Sequence, residues 1–246
     1  MQLSDHLWLK FKQILTCYRV YNKIGLRLTV AGILYKLRTG CPWRDVPYFF
    51  GNWNAIFKRF NEWSLRGKLR RIFFSLSKDH DNEWTFIDGS VVKSHQHSSG
   101  AAHGGETAIG KSVAGNSTKI HLAVDAMGLP IDFIITGGEV HDSKEAQNLI
   151  DKVPEVEILI ADKGYDSEEL RESIEKQGAQ SYIPRKCNSK IGNKNMDWCL
   201  YKYRHLVENA YARLKHFRSI ATRYDKLKRN YEGMLYLACS IIWLPM

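Results

Sequence analysis

Glu157-Ile158-Leu159-Ile160-Ala161-Asp162 is the stretch on which the fold turns. Its apolar residues run without polar alternation, the pattern of a central strand buried on both faces, and the run ends on a carboxylate. Upstream, Lys119-Ile-His-Leu-Ala-Val-Asp125 alternates with period two. Met127-Gly128-Leu-Pro130 supplies a turn and Ile131 to Thr136 a second strand, so a hairpin is expected. Glu83-Trp-Thr-Phe-Ile-Asp88 is a further short β-rich run, also closed by an acid. Asp142-Ser143 can cap a helix through Ile150, and Ser167 with Glu168 and Glu169 opens another that runs to Gly178. Ser181-Tyr-Ile183 is a last strand before Pro184. The order strand, hairpin, helix, strand, helix, strand, helices predicts a mixed α/β domain with crossover helices after three initial strands. In such sheets functional groups gather where strands end, which singles out Asp88 and Asp162.

Residues 1–77 read as helical. Leu26, Val30, Ile33, Leu34 and Leu37 form one apolar stripe, ended by Gly40, Pro42 and Pro47. Trp53, Ile56, Phe57, Phe60 and Trp63 form a second at amphipathic-helix spacing. Two helices joined by a tight Gly/Pro connection suit a helix-turn-helix DNA reader, and a plain helical bundle gives the same pattern. Gly100 to Gly115 and residues 185–200 read as loops. No internal repeat is evident.

Near the C-terminus, Tyr201, Arg204, Glu208 and Lys215 recur at intervals of three, four and seven. With about 3.6 residues per turn they share one stripe of a helix. Leu206, Val207, Ala210, Leu214 and Phe217 lie behind them as a buried face. One helix would thus present a carboxylate flanked by two cations and a phenol. A second closing helix is expected from about Tyr231 to Leu244.

Charge is unevenly placed along the 246 residues. The total of +10 divides into +11 over residues 1–71, −7 over 72–201 and +6 over 202–246. Basic flanks around an acidic centre fit polyanion-binding surfaces beside a site that holds cations, and an ordinary solvated basic surface accounts for the total equally well. The five cysteines show no C-x-x-C spacing, which argues against a disulfide framework or zinc ribbon and for a reducing compartment. Lys10 and Lys12 interrupt any signal-peptide core, and the run Met234 to Leu244 is too short to span a bilayer. A soluble, cytoplasmic, nucleoid-associated protein with no membrane partner is expected.

Asp88, Asp162 and Glu208 brought together would repel, and each would resist ionisation unless a cation intervened. Oxygen-only ligands with room for water and phosphate favour Mg²⁺ or Mn²⁺ over zinc. Two such ions about 4 Å apart support in-line phosphoryl displacement. Asp88 is the candidate bridging ligand, with Asp162 and Glu208 flanking; Asp142 and Asp166 lie close enough in sequence to substitute. Arg204 and Lys215 would hold backbone phosphates. The plainer reading makes Glu208 and Arg204 an ordinary i, i+4 surface pair. His95 and His97 form an H-x-H with no cysteine pair nearby. Lys93, Lys111 and Lys119 either follow a phosphate backbone or are simply solvated. Gly110-Lys111-Ser112 resembles the tail of a nucleotide-binding loop but lacks the preceding strand at the required spacing.

These blocks closely resemble DDE-class insertion-sequence transposases, specifically insertion-sequence family 5 within the family 4 and 5 superfamily. The resemblance rests on Phe86-Ile-Asp88-Gly-Ser90 continuing to His95-Gln-His97, on Ile160-Ala-Asp162-Lys-Gly164-Tyr165-Asp166-Ser167, and on the Tyr201, Arg204, Glu208, Lys215 signature. Thr118 to Asp125, Gly137-Gly138 with His141-Asp142-Ser143, and Gly40-Cys-Pro-Trp-Arg-Asp-Val-Pro47 add to it, so nearly the whole chain is covered. The resemblance implies a ribonuclease H-like mixed sheet over 78–246 and an N-terminal helical, helix-turn-helix-like DNA-binding domain over 1–77. It implies Asp88, Asp162 and Glu208 as catalytic triad and ligands of two Mg²⁺ or Mn²⁺ ions. Tyr201, Arg204 and Lys215 would contact DNA near the scissile phosphate. The activity implied is cleavage at element ends and transfer of the freed 3′-hydroxyl into target DNA. Between Asp162 and Glu208 there is no room for a large inserted domain, which leaves open whether second-strand processing uses a hairpin.

Because transposition joins two ends, a homodimer on double-stranded DNA is expected, bound to terminal inverted repeats and target. The basic segment Arg218 to Arg229, with Arg223, Lys226 and Lys228, is expected to contact phosphates. Two further readings compete: an inactive DNA-binding regulator derived from a transposase, and a nuclease that hydrolyses without strand transfer.

Overall fold

The computed structural model describes residues 3–21, 24–100, 106–113, 115–153 and 155–246. The elements in chain order are α1 (Asp5–Cys17), α2 (Leu26–Thr39), α3 (Trp53–Leu65), α4 (Lys68–Leu76), β1 (Trp84–Ser94), β2 (Gly110–Ser112), β3 (Gly115–Val124), β4 (Pro130–Gly137), α5 (Asp142–Ile150), β5 (Ile158–Ala161), α6 (Glu168–Lys176), β6 (Gln180–Tyr182), α7 (Trp198–Tyr201), α8 (His205–Lys215), α9 (Arg218–Ala221), β7 (Thr222–Arg223) and α10 (Lys228–Trp243). They form two units. One combines Met1–Lys78, Val92–Ile109 and Arg213–Met246; the other holds Asp79–Val91 and Gly110–Ala212.

In the first unit the α2 stripe is buried and the α3 stripe largely so, with Trp53 and Phe57 half-buried. Leu26, Val30, Ile33, Leu34 and Leu37 line α2, and Ile56, Phe60 and Trp63 line α3. Asn52 caps α3 by accepting from the backbone N–H groups of Asn54 and Ala55, replacing partners those donors lack at a helix start. α2 ends at Gly40, whose φ of 69° is left-handed and whose N–H returns to Lys36 O at 2.9 Å. Glycine adopts this conformation without the Cβ penalty. The α2–α3 connection is not tight. Residues 40–52 carry two 3₁₀ turns, Trp43–Asp45 and Tyr48–Phe50, where a helix-turn-helix uses about three or four residues. Trp43 from the first turn packs its ring 5.2 Å from Phe60 and 5.4 Å from Phe57, so the long link is part of the core. The apolar run after Met234 is a buried helix: α10 packs on α3 and α4, with Met234, Leu235, Ala238 and Cys239 fully enclosed.

The second unit is built on a mixed sheet. β1 lies between β3 and β5, and β5 carries β6 on its far side. β3 pairs antiparallel with β4 over Thr118–Val124, the expected hairpin, and with β2 over Gly115–Ser117. β1 with β5, and β5 with β6, are parallel. This is the mixed α/β core that the sequence implies: strands first antiparallel, then parallel with helical crossovers. α5 and α6 close over the sheet through one apolar cluster, with Leu149 and Ile150 from α5, Leu170 and Ile174 from α6, and Ile87 and Leu159 from the strands. β1 is longer than the expected run. It continues six residues past Asp88, and its end in the first unit pairs parallel with β7 through Lys93↔Thr222 and Ser94↔Arg223.

Candidate active site

The register of β1 and β5 does the first part of the assembly. Their parallel pairing runs from Trp84↔Ile158 to Ile87↔Ala161. Asp88 and Asp162, the next residue on each chain, therefore leave the paired segment side by side, on strands about 4.8 Å apart. Asp162 ends its strand as expected; Asp88 sits within β1, at the end of its pairing with β5 rather than at the end of the strand. Asp162 also caps the 3₁₀ turn Lys163–Tyr165, accepting from Gly164 N–H at 2.8 Å. Asp88 Oδ1 accepts from its neighbour Gly89 N–H at 2.8 Å.

Glu208 arrives from α8. The carrier of Tyr201, Arg204 and Glu208 is not one regular helix: α7 ends at Tyr201, a 3₁₀ turn covers Lys202–Arg204, and α8 begins at His205. The three residues nevertheless meet. Arg204 Nη1 donates to Asp88 Oδ2 at 3.5 Å, Arg204 Nη2 bonds to Glu208 Oε1, and Tyr201 lies near enough for the Arg204 charge to act on its phenol. The guanidinium thus stands between the strand acid and the helix acid. Val207, Ala210 and Leu214 are buried behind α8, as their spacing indicates; Leu206 is only half-buried. Tyr211, also on α8, is the anchor. Its hydroxyl lies 2.8 Å from Asp88 O and 2.7 Å from Ile120 O, so one phenol ties the helix to β1 and β3 at the level of the site.

The electrostatics are those of a site short of positive charge. Burial pushes the Asp88 carboxyl up to about 6, and the nearby Asp162 and Asp142 charges add to it against the Gly89 N–H and Arg204. Burial pulls the Arg204 guanidinium down, but Asp88, Glu208, Tyr201 and Asp162 more than offset it, and it stays charged. Burial, with Asp142, Asp88 and Asp162 next, keeps the Tyr165 phenol protonated. That side chain is 1 % exposed and its hydroxyl has no hydrogen-bond partner.

Asp142 belongs to this neighbourhood too. A Cβ on Gly89 would lie 2.0 Å from Asp142 Oδ1, so no side chain fits beside Asp88 there. Lys119 Nζ and His121 Nδ1 each stand 3.4 Å from that oxygen. Burial opposes the Asp142 charge, but these two partners outweigh it and hold the carboxyl below its usual range. Asp166, in contrast, is engaged elsewhere, with Arg171 at 2.8 Å and the N–H of Lys186. The placement of Tyr165 and Tyr211 is what the motif residues alone do not announce; Asp142, named from sequence as a possible substitute ligand, lies beside Gly89. The signals available were the glycine after Asp88, the Asp162-Lys-Gly-Tyr165 run, and the buried-face position of Tyr211.

Among the described residues no three acid, histidine or cysteine side chains form a complete metal-ligand set. The donors around Arg204 are all oxygens, and the carboxylates are under-compensated. That chemistry fits a hard divalent cation, with the guanidinium standing as the cation between two of them.

The remaining expected DNA contacts divide. Arg218 and Lys226 are exposed; Lys215 ends α8 partly exposed. Lys228 pairs with Glu106 at 2.5 Å. Arg223 is not a surface group. It is fully buried, its guanidinium donates to the carbonyls of Thr107, Ala108, Asp225 and Lys226, and it lies 4.9 Å from the Tyr231 ring. With its donors spent on main chain it has none to offer a phosphate. His95 stacks on Tyr224 at 4.6 Å, with the His97 ring tilted against it at 4.8 Å, and the His95 Nδ1 accepts from His97 N–H.

Residues 79–243 match the family model described as "Transposase DDE domain", and residues 3–73 match that of the "Putative transposase of IS4/5 family". The chain belongs to the DDE transposases of the insertion-sequence 4/5 family. It is 35 % identical over 128 residues to a protein of Brucella ovis named "Putative transposase for insertion sequence element IS6501", covering 52 % of this chain and 98 % of that one. It is 31 % identical over 136 residues to one of Burkholderia cepacia named for element IS402, covering 51 % of this chain and 62 % of the other. Among solved structures, the piggyBac transposase synaptic complex with hairpin DNA aligns with a TM-score of 0.42 and 10 % identity over 67 % of this chain and 42 % of that chain. Among the described residues, no helix is long and apolar enough to cross a membrane.

Proposed function

We propose that this transposase binds the double-stranded ends of its insertion sequence, cleaves them, and transfers the freed 3′-hydroxyl into target DNA. The observation that carries the reading is the parallel register that sets Asp88 and Asp162 side by side, with Arg204 linking Asp88 to Glu208. Asp88, Asp162 and Glu208 are the residues that would hold two divalent ions, Mg²⁺ or Mn²⁺. Such ions, when bound, activate the attacking hydroxyl and stabilise the leaving oxygen. Arg204 balances the carboxylates while the site is free and offers its fork of donors to a backbone phosphate as DNA enters. Tyr201 orients that guanidinium. Tyr165, held protonated, keeps an uncommitted hydroxyl near the acids, and Asp142 with Lys119 and His121 braces the backbone at Gly89. Lys215, two turns beyond Glu208 along α8, with exposed Arg218 and Lys226 and the partly paired Lys228, contacts phosphates; Arg223 shapes that segment from inside. Residues 1–77 are the DNA-docking region and 78–246 carry the chemistry. Two copies act together on paired ends.

The test is incubation of purified protein with labelled end DNA and Mg²⁺ or Mn²⁺. Cleavage and joining by the wild type, lost in Asp88→Asn with DNA binding retained, is the expected result. Binding without cleavage under either metal would assign the chain to regulation instead, and cleavage without joining to simple hydrolysis.

A further inference from the structure

A concave groove of roughly 890 Å³ opens in the first unit between the end of α1, the outer face of α3 and the start of α4. Six cations line it, Arg19, Lys58, Arg59, Arg66, Lys68 and Arg71, against the single carboxylate of Glu62. The groove is built rather than accidental. Lys68 is 8 % exposed and donates to Arg19 O at 3.1 Å, with Glu62 at 4.0 Å. Arg19 presents that carbonyl from a left-handed backbone, φ 58°, a conformation uncommon for a residue with a Cβ. Arg71 donates to Arg66 O at 2.8 Å and lies over the Tyr18 ring at 5.8 Å. Glu62 holds Arg66 at 3.4 Å. No side chain caps α4, whose N-cap is Gly67, so the positive end of that helix adds to the field.

Concentrated positive charge in a concavity focuses potential on a polyanion. The groove's charge comes from guanidinium and ammonium groups that suit phosphate oxygens. We infer that this groove seats the sugar–phosphate backbone of DNA, with exposed Arg19 and Lys58 and the half-buried Arg59 as the contacts and Lys68 as the fixed charge beneath them. Contacts of this kind position the protein without reading bases. The inference rests on the reading that the chain acts on DNA and adds where the N-terminal region grips it.

The experiment uses the full chain and two short fluorescent duplexes, one from the DNA flanking the reading frame and one unrelated, titrated at several salt concentrations. Arg19→Ala/Lys58→Ala/Arg59→Ala is expected to weaken both duplexes by the same factor. It should also lower the log-affinity against log-salt slope by about 2 to 3, since each phosphate contact contributes about 0.9. Lys152→Ala, in the other unit, is the control and should leave the slope unchanged. Circular dichroism checks the helices; should the triple variant lose them, Lys58→Ala alone, at an exposed position on α3, should lower the slope by about 0.9. Unchanged affinity and slope overturn the inference, as does a loss confined to one duplex or a loss of self-association with DNA affinity intact. If the wild type binds both duplexes and the variants match it, the groove assignment alone fails. If the wild type binds no DNA, the wider reading fails with it.

Discussion

Asp88 carries a cost that the proposed ion-binding role would explain. Its carboxyl is held at about 6 against an ordinary 3.8, so between about pH 4 and 6 the folded chain binds more protons than the unfolded one. Stability contributed by this group is therefore greatest at acid pH and falls as pH rises through that window. With the side chain 20 % exposed, the loss comes to about 2 kcal/mol. Asp88→Asn should accordingly be more stable than wild type by about that amount at pH 8 in metal-free buffer, with the difference closing below pH 4, while cleavage is abolished. Denaturant titrations at the two pH values check this; an asparagine variant less stable at pH 8 would contradict the burial argument. Tyr211→Phe tests the opposite kind of residue. It leaves two carbonyls, of Asp88 and Ile120, without their shared donor and should cost about 1–2 kcal/mol. Because the phenol positions α8, turnover should fall with DNA affinity unchanged.

At the scale of elements, what could be read from sequence was whatever repeats or punctuates. The apolar run of β5 and the stripe of α2 place their residues inside as expected, because period and burial are the same fact; β3, which reads as alternating, is instead buried on both faces, with His121 and Ala123 enclosed, and Trp53 and Phe57 of the α3 stripe are only half-buried. The reach of β1 beyond Asp88 was not legible, since its last two residues, Lys93 and Ser94, pair with β7, a partner more than a hundred residues away. The break between α7 and α8 was hidden for a related reason: a 3₁₀ turn keeps the helical hand and the spacing hardly changes. Arg223 shows the limit most plainly. A basic residue in a basic run looks solvated, and only the fold reveals carbonyls converging on it. Arg223→Ala should thus destabilise the protein by about 3 kcal/mol or more, as removal of a buried charged donor does. Lys226→Ala should leave stability within about 0.5 kcal/mol and weaken DNA binding instead. Thermal unfolding beside binding titrations separates the two, and the reverse ranking would restore Arg223 to the surface.

For the whole molecule, the charge division read along the chain has a physical counterpart. The acids gather in the sheet unit, and the basic N-terminal segment contains the groove. DNA affinity should therefore fall steeply with salt, by about 10³–10⁵ between 50 and 200 mM if six to ten phosphates are engaged, whereas stability should change little. An affinity insensitive to salt would remove the basic surfaces from the account. Family membership covers both segments of the chain, and the proposed site rests on the pairing that sets Asp88 beside Asp162. The most direct measurement replaces the divalent ion with Fe²⁺ and maps where the locally generated hydroxyl radicals cut the polypeptide. Cuts clustered near Asp88, Asp162 and Glu208, all three lost together in Asp88→Asn, are the result expected; cuts at other positions, or the same pattern in the variant, would show that these three carboxylates do not share an ion.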